Sequence, residues 1–167
     1  MHDWDEIRRN HGPMVWNAIG RILRNSEDIT DCYQDVFLEA FQRSLTRSIN
    51  NMPGLLRWLA VHRALDSLRK LKALPKIAAN RNVDGITCDS ARDTQRLNEL
   101  LETVRCELSS LSVEQAECFW LCCVEGLKYR EAAEVMGLET QHVGMLVHRA
   151  RKHLSQALID WHDGRNV

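Results

Sequence analysis

The sequence predicts an all-α protein: two small helical domains joined by a flexible linker. Three observations carry that prediction. Apolar residues recur at three- and four-residue steps through both halves of the chain. No stretch alternates apolar and polar residues as a half-buried strand does. Between Leu74 and Thr94 the helical rhythm stops, and Pro75, Asn80, Asn82, Asp84, Gly85, Asp89 and Ser90 take over. The chain therefore divides into 1–73, a tether over 74–94, and 95–167. A tether of about twenty residues is long for a connection inside one compact domain.

The elements follow in order. From Trp4 to Leu23 a helix is marked by Val15, Ile19, Ile22 and Leu23, with Gly12-Pro13 expected to interrupt its beginning. Glu27 to Phe41 places Ile29, Cys32, Tyr33, Val36, Phe37, Ala40 and Phe41 on one stripe. The polar interval Thr46 to Pro53 ends in Asn50-Asn51-Met52-Pro53-Gly54, which reads as a turn, and a third helix runs from Leu55 to Leu71. After the tether, Leu97, Leu100, Leu101, Val104 and Leu108 restore the helical period from Gln95. Ser112 with Gln115 forms a capping box ahead of the next apolar run.

Composition limits the functions. Twenty-two Lys and Arg against 23 Asp and Glu leave a net charge of −1, which excludes a protein that coats nucleic acid without selectivity but allows local basic faces. No stretch approaches the roughly 20 apolar residues of a membrane span, so no membrane partner is expected. The opening Met1-His2-Asp3-Trp4-Asp5-Glu6 is acidic and unlike a secretion signal, which points to a cytoplasmic protein. Six cysteines contain no C-x-x-C pair, and in a reducing cytosol they are expected to be unpaired. Cys118, Cys122 and Cys123 sit at helical spacing in a run that reads as core. The histidines are scattered, no nucleophile–base set or phosphate-binding glycine loop is present, and no catalytic activity, cofactor or metal is expected.

Glu125 to Lys152 is the most specific stretch. Two short amphipathic runs meet at Gly137, and the second ends in a cluster of cations, the pattern of a helix-turn-helix. Tyr129 to Met136 is the supporting helix, with Ala132 and Ala133 small enough for close approach. On a helix of about 3.6 residues per turn, Val143, Val147, Ala150 and Leu154 form the packing stripe. Gln141, Met145, His148, Arg149 and Lys152 lie opposite. Gln pairs well with adenine, an apolar side chain suits a thymine methyl, and Arg149 and Lys152 suit phosphates.

Two charge segments stand out in the first domain. Glu27, Asp28, Asp31, Asp35 and Glu39 lie between Arg24 and Arg43 with no cation among them. Asp31, Asp35, Leu38 and Gln42 share the face opposite the apolar stripe, which suits a basic protein partner or a solvated face. Arg57, Arg63, Arg69, Lys70, Lys72, Lys76 and Arg81 carry the opposite sign, with Asp66 as the single acid and Trp58 and His62 interleaved. Cations with aromatics suit a single strand, whose backbone needs charge and whose bases stack. Trp58 equally suits a core position.

These residues resemble a known family. Leu127-Lys128-Tyr129-Arg130-Glu131-Ala132-Ala133-Glu134-Val135-Met136-Gly137-Leu138, followed by His148-Arg149-Ala150-Arg151-Lys152, is similar to region 4 of bacterial sigma factors of the extracytoplasmic-function type. Glu27-Asp28 with Asp31 to Phe41 resembles the region 2 helix that binds core polymerase, and Arg63 to Lys70 resembles the end of region 2. The resemblance implies a dissociable promoter-recognition subunit of RNA polymerase. Asp31, Gln34, Asp35 and Leu38 then become contacts to core polymerase. Trp58, His62, Arg63, Arg69 and Lys70 become contacts to the melted non-template strand of the minus-ten element. Arg130, Thr140, Gln141, Met145, His148, Arg149 and Lys152 become contacts to the double-stranded minus-thirty-five element. An anti-sigma protein is a further implied partner.

The chain departs from that family in several places. Leu55 stands where a Trp is usual, His62 where an Asn is usual, and Gly144, Met145 and Leu146 where polar and basic residues are usual. Glu139 replaces the capping Ser, and Thr140 is expected to cap instead. The tether length suggests that the two domains dock on each other in the free chain and hide the DNA faces. Two other readings stay open: a free-standing helix-turn-helix regulator, and a thiol or zinc sensor using Cys118, Cys122 and Cys123.

Overall fold

The computed structural model describes residues 3–73 and 91–163, the side chains of 91–94 and 160–163 excepted. Most of the tether, with Cys88, Lys76 and Arg81, lies outside the described residues. In the first domain α1 spans Trp4–Ile22, α2 Ser26–Thr46 and α3 Met52–Ala73. In the second, α4 spans Ala91–Ser110, α5 Val113–Phe119, α6 Tyr129–Met136 and α7 Thr140–Asp163, with a π-helical turn over Trp120–Val124 continuing α5. Helix α4 thus starts four residues before Gln95, where the apolar period begins.

Side chains set the helix starts. Asp3 caps α1 by accepting from the Asp5 and Glu6 amides, and Asn25 caps α2 by accepting from Glu27. The acids Glu27 and Asp28 then sit in the first turn, where the helix dipole favours negative charge. The Asn51-Met52-Pro53-Gly54 signal is a helix start and not a free turn. Asn51 Oδ1 accepts from the Gly54 amide at 2.9 Å, and Pro53 lies in the first turn, where its missing N–H removes no helical bond. Ser112 likewise caps α5 through Oγ, which accepts from the Gln115 amide.

The expected break at Gly12-Pro13 does not occur; α1 runs through both. Gly12 is buried against α2, and a Cβ there would come within 2.6 Å of Tyr33 Oη. Pro13 is exposed, as is Arg9, whose carbonyl loses its helical donor. Close packing of α1 on α2 therefore outweighs a local breaker.

The first core gathers Val15, Ile19 and Ile22 of α1 and Val36 of α2 around Leu56, Leu59 and Leu65 of α3, all nearly or wholly buried. The buried residues of α3 are spread around the helix, from Leu55 and Leu56 to Leu59, Ala60, Val61, Ala64 and Leu65, because it is covered twice. Helices α1 and α2 pack on one side, and α4, α5, α6 and the π turn pack on the other. In the second core Ala132 and Ala133 of α6 are buried and let α7 approach with Val143, Val147 and Ala150. Gly137 ends α6 in the left-handed conformation (φ 69°), and the Leu138 amide closes the turn onto the Ala133 carbonyl at 2.9 Å. Polar contacts also join the domains. Arg21 pairs with Glu125 at 2.8 Å, Arg24 and Lys72 with Glu102 at 3.4 and 3.2 Å, and Arg105 Nε donates to the Ile22 carbonyl at 3.1 Å.

Candidate nucleic-acid interface

Helix α7 begins at Thr140, so Thr140 is its first helical residue; the residue before it, Glu139, supplies the first carbonyl, which accepts from the Val143 amide at 3.1 Å. The expectation that Thr140 caps this helix is thereby corrected. One face buries Val143, Leu146, Val147, Ala150 and Leu154. Leu146 is thus core, and it does not stand on the reading face with Gly144 and Met145. The opposite face exposes Thr140, Gln141, Met145, His148, Arg149 and Lys152, and Arg130 of α6 is exposed as well. A shallow pocket opens among Tyr129, Thr140, Gln141, Gly144, Met145, His148 and Arg149.

On α2, Asp31, Gln34, Asp35 and Leu38 are all exposed, on the face opposite Cys32, Val36 and Ala40. Leu38 is 56% exposed, and Phe41 and Leu45 add apolar surface at 41% and 69%. Leucines held in water beside carboxylates form an acid-rimmed apolar patch, which suits a partner with apolar and basic groups. Phe41 is held edge-on by Trp4 at 5.5 Å, and Tyr33 lies between Trp16 and Phe37.

On α3 the expected strand-binding residues are engaged within the molecule. Arg63 places Nε and Nη2 on Glu39 Oε2 at 2.9 and 2.6 Å, while Arg43 grips Oε1 of the same carboxylate. Lys70 pairs with Asp66 at 2.8 Å. Arg69 is half-buried, and its Nη2 has no hydrogen-bond partner among the described residues. The Arg43 guanidinium also lies 4.8 Å over the Trp58 ring.

Trp58 and His62 meet the second domain. Glu117 of α5 is 3% exposed. Its Oε2 accepts from Trp58 Nε1 at 3.0 Å, and its Oε1 lies 2.6 Å from His62 Nδ1. That hydrogen bond raises the His62 pKa above the usual histidine value, against the opposing effect of burial. A buried carboxylate is expensive unless partnered, and here both partners come from the other domain. The domains therefore do dock, as the tether suggested. The contact engages Trp58 and His62, which stay partly exposed, and leaves the α7 face open, so the expected hiding of both DNA faces does not extend to α7.

Sequence reasoning missed Glu117, and it named Glu39 without its partners Arg43 and Arg63. A signal for Glu117 existed: it is an acid inside the buried run Ala116, Cys118, Trp120 and Leu121, at a position the apolar period assigns to core. The cysteines divide similarly. Cys118 is fully buried and its thiol is pushed up to about 12 by burial, while burial pushes Cys122 up to about 11. Cys122 and Cys123 are half-buried, and Cys123 Sγ accepts from Arg151 Nε and Nη2 at 3.3 and 3.2 Å. Among the described residues no three His, Cys, Asp or Glu side chains converge in a way that could hold a metal ion. No described helix is long and apolar enough to cross a membrane.

Comparison with known proteins follows this geometry. Residues 7–73 match the sigma-70 region 2 family and residues 101–154 match the sigma-70 region 4 family. The chain is 26% identical over 160 residues to the ECF RNA polymerase sigma factor SigE of Mycolicibacterium smegmatis, covering 95% of this chain and 62% of that protein. It shares its fold with CnrH in the complex with the cytosolic domain of CnrY (TM-score 0.60, 23% identity, 94% of this chain and 87% of that one). It also shares it with the sigma factor RpoE of Bartonella quintana in complex with the anti-sigma factor NepR (TM-score 0.57, 18% identity, 95% of this chain and 98% of that one). With region 2 on α1–α3 and region 4 on the α4–α7 domain, the chain belongs to the sigma-70 family.

Proposed function

We propose that this chain is a non-catalytic, cytoplasmic subunit that directs bacterial RNA polymerase to a specific set of promoters. The observation that carries the reading is the separation of three chemically different surfaces on one chain. The acid-rimmed apolar face of α2, through Asp31, Gln34, Asp35 and Leu38, suits core polymerase. The α3 segment with Trp58, His62, Arg63, Arg69 and Lys70 suits the melted non-template strand, where aromatic faces stack on bases and cations hold the backbone. The α7 face, with Arg130 beside it, suits duplex DNA at the upstream element.

The docked arrangement supports a resting state of the free chain. While Glu117 holds Trp58 and His62, a single strand cannot stack there. Binding of α2 to core polymerase, together with upstream DNA on α7, would separate the domains and release both side chains. The proteins of similar fold named above were captured with CnrY or with an anti-sigma factor, and a partner of that kind for this chain is part of the proposal.

Run-off transcription on a genomic promoter library, with purified core polymerase with and without this protein, tests the reading. Discrete new start sites sharing an upstream motif are expected, and Asp35→Arg is expected to abolish them. If no start site depends on the protein while the protein alone retards specific duplex DNA, it is a free-standing regulator. Stoichiometric zinc lost on replacing Cys118, Cys122 and Cys123 would instead support a sensor, a role that the raised thiol pKa values at Cys118 and Cys122 disfavour.

A further inference from the structure

Gly144 lies in the second turn of α7, on the exposed face. A glycine inside a helix costs about 1 kcal/mol relative to alanine. The fold does not require it here. The left-handed glycines are Gly126 and Gly137, so the backbone at Gly144 suits any residue. A Cβ at Gly144 would meet only Tyr129 Cδ2 and Cε2 at 3.6 Å, an ordinary contact. Neither conformation nor packing explains the missing side chain, and what it leaves is an opening. The Tyr129 ring, 39% exposed, forms one wall and Met145, 47% exposed, stands beside it. His148 and Arg149 lie on the rim of this carbon-lined notch.

We propose that Gly144, Tyr129 and Met145 form a notch that accepts the C5 methyl group of one thymine in the upstream element. This rests on the reading of α7 as the helix that enters the major groove. The occupant follows from chemistry. Arg149 beside the notch favours a polyanion, and the apolar group that a duplex presents in its major groove is the thymine methyl. A protein side chain entering the notch would be larger than a methyl group. The position is therefore a determinant of promoter choice, set by a missing side chain rather than by a hydrogen bond.

The test uses the full chain with core polymerase and a duplex carrying the upstream motif selected from a randomised pool. Each thymidine is replaced singly by deoxyuridine, which removes only the methyl group. One replacement is expected to weaken binding about fourfold, the loss expected on exposing one buried methyl, and the others are expected to have little effect. Gly144→Ala, which favours the helix, is expected to bind the thymidine and deoxyuridine duplexes equally. Selection of a motif in which no deoxyuridine weakens binding overturns the notch and leaves the sigma reading intact. So does a penalty that persists undiminished in Gly144→Ala. Failure to select any upstream motif, with no protein-dependent start sites, overturns the groove reading of α7 and the notch with it.

Discussion

The two surfaces proposed for DNA differ in what covers them. On α3, Trp58 and His62 are joined to a buried carboxylate of the other domain, Arg63 is forked onto Glu39, and Lys70 is paired with Asp66. On α7, Gln141, Met145, His148, Arg149 and Lys152 all face water. On the proposed reading, the same short chain presents one open face to duplex DNA and another whose aromatic pair is engaged by Glu117. Recognition of an intact upstream element needs no rearrangement. Holding an unpaired strand needs the domains to part. On the proposed function, a chain built this way would find duplex before it traps a melted strand.

The largest expected effect comes from Glu117→Ala. Each hydrogen bond to a charged group contributes about 1.5–3 kcal/mol, so loss of the acceptor shared by two of them is expected to shift the docking balance by on the order of 100-fold or more toward separated domains. Affinity for a single-stranded minus-ten oligonucleotide should rise accordingly, while affinity for upstream duplex stays within twofold. Equal changes in both affinities would remove the distinction between a covered and an open face.

Next in size is Ala132→Leu, which crowds the α6–α7 contact, where Ala132 is wholly buried. Overpacking of this kind costs about 1–3 kcal/mol. Thermal unfolding followed separately in the two domains should show region 4 destabilised and duplex binding lost, with polymerase binding through α2 retained. Loss of both functions together would mean that the domains fold as one unit.

A smaller effect is expected from Glu39→Gln. It weakens the acceptor for Arg43 and Arg63, both partly exposed, so a loss of about 1 kcal/mol is expected, with the melting temperature of region 2 down by a few degrees. An unchanged melting temperature would show that the Arg63 fork contributes nothing to the α2–α3 contact.

The smallest effect is in pH. The docked state raises the His62 pKa through Glu117, with Glu39 adding to the rise, burial and Arg63 opposing it, and Asp66 close by. A raised pKa stabilises docking fully below the histidine's ordinary value, and that stabilisation is lost as pH rises through the docked value. Domain separation should therefore increase with pH above about 6.5, and the trend should flatten in His62→Gln. A slope of the opposite sign would place the titration elsewhere.

Legibility of these features in the sequence followed how local their causes are. The helix-turn-helix was readable because Gly137, the paired alanines and the α7 stripe act within a few residues of one another. The exposed face of α2 was readable for the same reason. The continuity of α1 through Pro13 was not, since it depends on Tyr33 closing over Gly12 from another helix. The partners of α3 were not either. Arg63 and Glu39 are 24 residues apart, and His62 and Glu117 are 55 apart. The charge pattern of α3 suggested a strand-binding surface, and it carried no mark of the acids that occupy it in the free chain. Leu146 was assigned to neither face, because the packing stripe of α7 is wider than its four most obvious members.

The most direct measurement is the distance between the domains, read by energy transfer between labels at the exposed positions Arg9 and Ser155. It would be made on the full chain, free and bound to core polymerase, and repeated with Glu117→Ala. The account expects one high-transfer population in the free protein, a fall in transfer on polymerase binding, and a partial fall in the free variant. High transfer that survives polymerase binding, or a free chain whose transfer is unchanged by Glu117→Ala, would contradict the claim that Glu117 keeps Trp58 and His62 from DNA until the polymerase draws the domains apart.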